Sequence, residues 1–338
     1  MPEIEIIGSR RRDPYWWTCA GLALLVIIAA LLSLVVGRGG SLLLPGLDSA
    51  FETEVGRIIL YELRLPRAFL GMIVGATLGL CGAGLQGLLR NPLAEPGLVG
   101  ASSGAALGAV IVFYFGLGSS AFFLPAGGLI GAITALALLY LLAGKDPNIM
   151  TLILSGVAIN AFAGALTSLA LNLAPSPFAA LEIVFWLLGS LEGRSADHIL
   201  FGVPPIALGL ALVASTGRAL DALTLGEDTA QSLGFNVTAT KLKVIGGTGL
   251  AVGAAVSITG MIGFVGLVVP HLLRPFVGQQ PSQLLLPSAL GGATLTLIAD
   301  VLVRLPSAAP ELKIGVVTAI IGAPFFLFLI LKTRRDLA

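Results

Sequence analysis

Charge is scarce in this sequence. Of 338 residues only 11% are Asp, Glu, Lys or Arg, while 56% are hydrophobic; a soluble domain carries roughly 25% charged residues. That shortage excludes an ordinary soluble globule and points to a chain solvated by lipid. The formal net charge of +1 gives no bulk attraction to nucleic acid, so no nucleic-acid partner is expected. Cysteine is nearly absent. Cys19 and Cys81 both lie in apolar stretches, which excludes a disulfide framework. The two histidines, His198 and His271, are far apart with no metal-ligand spacing around either, so neither a metal site nor a cofactor is expected. Catalytic motifs are missing too: there is no H-E-x-x-H and no G-x-S-x-G with partners. Gly144-Lys145 lacks the upstream glycine of a Walker A loop. The chain is therefore not expected to be an enzyme, and any nucleotide hydrolysis must belong to another chain.

Glycine and proline, by contrast, are abundant, at 44 and 19 residues. Inside apolar runs they indicate close helix packing and broken helices. Runs of about 20 apolar residues mark membrane-spanning helices. The sequence predicts ten of them: Thr18 to Val36, Pro66 to Leu89, Pro96 to Phe115, Ala121 to Ala143, Ile149 to Leu171, Ile199 to Thr216, Leu242 to Ile262, a short Phe264 to Val277, Leu284 to Val303 and Ile314 to Leu331. The first run is too long for a signal peptide's apolar region and no A-x-A-like site follows, so it is expected to be a retained span. Residues 1–338 are expected to form a single transmembrane domain.

Basic residues set the orientation. Arg10, Arg11, Arg12, Arg90, Lys145, Arg218, Lys241, Lys243, Arg274, Lys332, Arg334 and Arg335 fall on one side, and the smaller set Arg38, Arg57, Arg64, Arg67, Arg194, Arg304 and Lys313 on the other. This bias predicts both termini on the cytoplasmic side of the cytoplasmic (inner) membrane. The second span ends in Gly79, Gly82, Gly84 and Gly87 before Asn91-Pro92 and Glu95-Pro96. The seventh has a related glycine-rich texture before Pro270. The two enter the membrane from opposite sides, which predicts an inverted repeat of helices 2–5 and 7–10, a pattern found around transport pathways.

Several polar positions stand out. The longest inner polar stretch, Arg218 to Lys243, contains Gly226-Glu227-Asp228 and Leu233-Gly234. Acidic residues favour a helix start and glycine a helix stop, so a short helix standing out of the membrane competes here with an ordinary loop. Arg64 and Arg67 share a face if the Arg64-Leu65-Pro66-Arg67 segment is helical. Asp300 lies four residues before Arg304, allowing a local ion pair. Glu95 has Arg90 as its nearest candidate partner, and His271 and Arg274 are placed either to line an aqueous cavity or to face protein. Pro175 to Ser190 is expected to be an outer interfacial helix with Trp186 as an anchor.

In this order and spacing, these segments resemble the FecCD/cobalamin-type permease family of ABC importers, which carries ferric siderophores, haem or vitamin B12. The resemblance rests on Arg64-Leu65-Pro66-Arg67, Arg90-Asn91-Pro92-Leu93-Ala94-Glu95-Pro96, Gly100-Ala101-Ser102-Ser103-Gly104, Gly226-Glu227 through Leu233-Gly234, Gly263-Phe264-Val265-Gly266 through Pro270-His271, Ala299-Asp300 with Arg304, and Ile314-Gly315-Val316-Val317-Thr318 with Gly322-Ala323-Pro324. It implies ten spans, a homodimer with the translocation path between the copies, two ATPase subunits and a periplasmic substrate-binding protein, all in membrane lipid. It further implies that the ATPase meets a cytoplasmic coupling loop over 218–241 at Gly226, Glu227, Ala230, Leu233 and Gly234. The binding protein's carboxylates would meet Arg64, Arg67 and Arg304 beside a periplasmic segment over 175–197. Asn91 and Leu93 match the inner gate.

An ion-coupled secondary transporter would share the broken helices but place ionisable residues near the midplane. The near absence of charge within the spans and the presence of a coupling loop favour the importer. Iron chelates are the expected cargo because they dominate the family, with cobalamin as the alternative.

Overall fold

The computed structural model describes residues 12–37, 54–117, 122–144, 148–306 and 312–336. Of the orientation charges, Arg10, Arg11, Arg38 and Lys145 lie outside the described residues, as do the side chains of Arg12, Lys332, Arg334 and Arg335.

The described residues are all-helical, in agreement with the expected fold class. In chain order the helices are α1 (Arg12–Val35), α2 (Glu54–Leu89), α3 (Ala101–Tyr114), α4 (Phe123–Ala143), α5 (Ile149–Asn172), α6 (Pro177–Leu187), α7 (Ala196–Ala214), α8 (Gly217–Leu223), α9 (Glu227–Ser232), α10 (Val237–Thr259), α11 (Val265–Val277), α12 (Pro281–Arg304) and α13 (Ile314–Asp336). A helix covers each of the ten expected spans. Seven of them (α1, α2, α4, α5, α7, α10 and α12) are long and apolar enough to cross a membrane.

Two differences from the sequence expectation bear on function. The third expected span does not begin at Pro96: Pro96–Val99 is a 3-10 turn, Gly100 takes φ 82°, and α3 starts only at Ala101. At 14 residues it rises about 21 Å, short of the roughly 30 Å of a hydrocarbon core. α11, with 13 residues, is equally short. The second span, conversely, runs on beyond Pro66 to Glu54, through a π-helical stretch at Ile59–Arg64.

Burial separates the centre of the bundle from its lipid face. In α2 and α10, 78% of the most apolar stretch is buried, against 22% in α1 and 28% in α4, α5 and α7. Lipid gives no hydrophobic drive for helix association, so backbones must approach closely enough for dispersion to hold them. Glycine allows that approach: Gly75 and Gly79 of α2 lie directly on the backbone of Gly292 and Ser288 of α12, where a Cβ has no room.

α6 corrects another expectation. Trp186 is not an exposed interfacial anchor but is 8% exposed, packed edge-on against Phe113 of α3 with ring centroids 6.2 Å apart.

Candidate translocation and coupling sites

At one end of the bundle two arginines, Arg64 and Arg304, converge on the C-terminus of α1. The last carbonyls of a helix have no intrahelical donor and carry its negative dipole end. Arg64 Nη1 donates to the carbonyl of Leu34 at 2.6 Å. Arg304 donates to the carbonyls of Ser33 (2.8 Å) and Val36 (3.2 Å) and to Ser33 Oγ (2.6 Å). Asp300, fully buried, accepts from Arg67 at 2.9 Å and also pairs with Arg304 one turn along α12. The local Asp300–Arg304 pair expected from spacing is present. Arg67 joins it from a helix remote in sequence. The structure gives these arginines a first task inside the chain: Arg64 and Arg304 cap α1 and fasten it to α2 and α12, while Arg67 ties α2 to α12 through Asp300. Arg304 is 4% exposed and presents no free guanidinium to a docking partner in this conformation. Arg64 and Arg67 are half-buried.

At the opposite end the polar stretch folds as α8, α9 and the first turns of α10. α9 is short, and its caps explain why it forms. Gly226, at φ 108°, precedes acidic Glu227 and Asp228, whose charge suits a helix N-terminus. At the other end Gly234 takes φ 85°, and the Phe235 N–H reaches back to the Ala230 carbonyl at 3.0 Å, closing a Schellman motif. Ala230 is buried as the helix's anchor, whereas Leu225 and Leu233 are 66% and 60% exposed. Lys241 pairs with Glu227 at 2.9 Å, and Asp221 caps α12 by accepting from the Ser282 backbone N–H at 2.9 Å. The result is a rigid platform with two uncovered leucines.

The Asn91 turn joins the bundle to its interior. Arg90 adopts a left-handed conformation (φ 48°), Asn91 Oδ1 accepts from the Leu93 N–H at 2.9 Å, and both Asn91 and Leu93 are exposed. Behind the turn, buried Gln86 donates toward the carbonyls of Ala94, Gly266 and Leu267 at 3.3 to 3.4 Å and accepts from Arg274 at 2.7 Å. Arg274 therefore faces protein, and His271 stacks edge-on with Phe325. Glu95 does not pair with Arg90: its Oε1 accepts from the Phe264 N–H at 2.9 Å, across 169 residues.

Glu95 also lines a cavity of about 230 Å³ with Ser102, Ser103, Asn160, Met261 and Gly263. Leu78, which also lines it, is at the middle of the Leu65–Leu89 stretch of α2. Ser103 and Asn160 hydrogen bond at 2.7 Å, and Asn160 donates to the Gly97 carbonyl at 2.8 Å. The two short helices α3 and α11 both begin beside this cavity. Sequence reasoning missed the Glu95–Phe264 and Arg67–Asp300 contacts, since no local spacing encodes either one. Their only signal was a charged residue next to an apolar span.

Outside α13 lies a second, open groove of about 660 Å³, lined by Leu187, Leu188, Met261, Gly315, Ala319 and Ala323 among others and almost wholly apolar. Near the arginine end, Lys313 pairs with Glu192 at 3.1 Å. Arg194 of the same loop keeps its buried Nε without a hydrogen-bond partner, and burial lowers its pKa to about 10.

A polytopic helical bundle with two half-length helices at its centre and a capped polar platform at one end has the architecture of an ABC importer permease. Comparison with known proteins agrees. The model of the FecCD transport family matches residues 24–332, and the chain belongs to that family. It is 36% identical, over 97% of both chains, to the vitamin B12 import system permease protein BtuC of Salmonella arizonae. It is 41% identical to the cobalamin import system permease protein BtuC of Halobacterium salinarum, over 82% of this chain and 74% of that one. With an ABC transporter permease protein of Bacillus subtilis, YvrB, it shares 39% identity over 88% of this chain and 84% of the other. Among solved structures, a putative metal-chelate type ABC transporter in an inward-facing conformation superposes with a TM-score of 0.83 at 35% identity, covering 93% of this chain and 98% of that one. The chain is thus a multi-pass permease subunit of an ABC importer, a kind of protein that works with ATPase and binding-protein partners and is not itself a catalytic enzyme.

Proposed function

We propose that this permease carries a corrinoid of the cobalamin class across the cytoplasmic membrane by alternating access, as one half of a homodimer. The observation that supports this cargo over an iron chelate is the full-length similarity to permeases whose names specify vitamin B12. A structural neighbour described only as metal-chelate type is compatible with both.

The physics favours a path between two copies. A cavity of about 230 Å³ holds about eight waters at roughly 30 Å³ each, less room than a bulky chelate needs, which favours a path outside the single subunit. The open apolar groove along α13 offers small residues, Gly315, Ala319 and Ala323, for the wall of a shared path. The α9 platform, with Gly226, Glu227, Ala230, Leu233 and Gly234, is the proposed seat of the ATPase on the cytoplasmic side. Exposed Leu225 and Leu233 form its contact and the Schellman cap makes it a stiff lever. The arginine end, with Arg64, Arg67 and Arg304, then faces outward beside 175–197, and a binding protein docks there. Arg64 and Arg67, both half-buried, are more accessible than Arg304. Asn91 and Leu93, exposed at the platform end, are the proposed inner gate. Both termini lie on the cytoplasmic side.

The test is ATP-driven uptake into proteoliposomes containing this permease, its ATPase and its binding protein, with labelled cyanocobalamin, haem and a ferric siderophore panel offered in turn. Uptake of cyanocobalamin alone is expected. Uptake of an iron chelate with cyanocobalamin excluded would overturn the corrinoid assignment. Uptake that persists without ATP and follows an ion gradient would overturn the importer mechanism.

A further inference from the structure

Glu95 sits where two crossovers of the chain, remote in sequence, meet. Residues 90–100 carry the chain from α2 to α3, and residues 260–264 carry it from α10 to α11. The two crossovers meet beside the central cavity, where Gly266 lies against Leu78 and Pro96. Glu95 spans them: its Oε1 accepts from the Phe264 N–H at 2.9 Å. That N–H is at the start of α11, where the helix offers no acceptor of its own. Phe264 holds φ 67°, a left-handed conformation that a bulky aromatic residue adopts only when its surroundings impose it. Its side chain lies on Gly322 of α13, in the space a larger residue would occupy. Thus one carboxylate oxygen fixes a strained residue that leads on to both α11 and α13. Among the described residues lining the cavity no other is charged.

We infer that Glu95 is a positioning residue of the transport cycle: it latches the two crossovers together and holds Phe264 in place, and the bond opens when the subunit changes access state. The inference rests on the importer reading above. What the latch needs is reach and an acceptor atom, not charge. That separates it from the rival idea that Glu95 is an electrostatic or cation-holding group. Glutamine keeps an acceptor oxygen at the same distance and loses the charge. Aspartate keeps the charge and falls one methylene short.

The experiment places Glu95→Gln, Glu95→Asp and Glu95→Ala, each combined with Gly263→Cys, in the purified permease–ATPase complex. A Cβ at Gly263 meets only Glu95 Oε1, at the ordinary contact distance of 3.7 Å, so the backbone site accepts a side chain. Cys19 and Cys81 are buried, and the parent complex without Gly263→Cys reports their background. Two quantities are measured: the maleimide labelling rate of the complex without nucleotide, and cyanocobalamin transported per ATP hydrolysed after reconstitution into proteoliposomes with the binding protein. Loss of one hydrogen bond corresponds to a factor of about five. Glu95→Asp and Glu95→Ala are therefore expected to label about fivefold faster and to transport correspondingly less per ATP, with hydrolysis retained. Glu95→Gln stays close to wild type. If Glu95→Asp behaves as wild type while Glu95→Gln behaves as alanine, charge is what matters and the latch is wrong. Equal behaviour of all three variants, whether all altered or all unaltered, overturns it as well. Should Glu95→Ala fail to assemble, the glutamine and aspartate pair still decides. Labelling needs neither cargo nor ATP, so a wild-type complex that transports no cyanocobalamin counts against the proposed cargo without touching the latch.

Discussion

Arg67 of α2 and Asp300 of α12 meet at 2.9 Å, although 233 residues separate them. The carboxylate is fully buried and is shared with Arg304, which in turn donates to the buried carbonyl end of α1. A buried carboxylate survives only when its charge is matched and its oxygens are hydrogen-bonded. Here both conditions are met, and the same arrangement relieves the unpaired carbonyls of a third helix. An orientation rule based on counting Lys and Arg leaves these arginines on the depleted side of the membrane. Their place is explained by what they hold together.

Breaking that cluster is expected to be costly. Removing one partner of a buried pair costs about 3–5 kcal/mol, so Arg67→Ala or Asp300→Asn should lower the melting temperature of the detergent-purified permease markedly. Arg64→Ala, which loses hydrogen bonds from a half-buried group, should cost nearer 1–2 kcal/mol. Arg67→Glu would set a second carboxylate against Asp300, so reduced binding-protein docking in that variant has to be corrected for misfolding. Unchanged melting in both Arg67→Ala and Asp300→Asn would show that the cluster does not stabilise the bundle.

The α9 platform makes a different prediction, in which fold and assembly separate. Leu233 is 60% exposed, so Leu233→Asp should leave the melting temperature of the isolated permease within about 0.5 kcal/mol of wild type, as for other surface changes. If the leucine seats the ATPase, the same change desolvates a charge in the contact and weakens co-purification of the ATPase at least about tenfold. Gly234→Ala strains the left-handed cap and should cost about 1 kcal/mol while reducing assembly only in proportion. Normal ATPase binding by Leu233→Asp would remove this platform as the coupling surface.

How much of this was legible in the sequence differs by the range of the interaction. Apolar runs located a helix for every expected span because length and hydropathy are local properties. The caps of α9 were legible for the same reason: Glu227, Asp228 and Gly234 act within a turn or two of themselves. The Asp300–Arg304 pair followed from helical spacing. The start of α3 was misplaced because Pro96 begins a 3-10 turn as readily as a helix, and hydropathy does not distinguish them. Local spacing offers Glu95 only nearby Arg90, yet its partner is the Phe264 amide, which becomes available only when α10 and α11 are already packed. Trp186 looked like an interfacial anchor because its helix is short and apolar. The α3 surface that covers it cannot be seen from that segment.

Packing between α2 and α12 should tolerate little added volume. A Cβ at Gly79 would collide with the Ser288 backbone, and backbone cannot rotate away as a side chain can. Overpacking typically costs about 1–3 kcal/mol, and this site lies at the upper end since two helices must separate along their length. Gly79→Val is expected to cut the yield of folded, monodisperse permease severely, whereas Gly97→Ala, where no atom lies within reach of a Cβ, should not. Equal yields for the two variants would mean that the close helix contact is not needed.

Gln86 offers the sharpest test of the buried polar core, because its amide has one consistent orientation. Arg274 can only donate and the carbonyls of Ala94, Gly266 and Leu267 can only accept, so Oε1 must face the arginine and Nε2 the carbonyls, as observed. Gln86→Leu fills nearly the same space but strands an arginine and leaves the carbonyls without this donor, at about 2–3 kcal/mol. Gln86→Glu strengthens the bond to Arg274 by adding charge, yet it turns an acceptor oxygen toward three carbonyl oxygens. Glutamate is therefore expected to be no more stable than leucine, even though it keeps the ion-pairing partner. Arg274→Ala, which leaves the amide free to serve the carbonyls, should be the mildest of the three. A Gln86→Glu permease melting at or above wild type would show that the Arg274 contact alone governs this site and that the three carbonyls draw their stabilisation elsewhere.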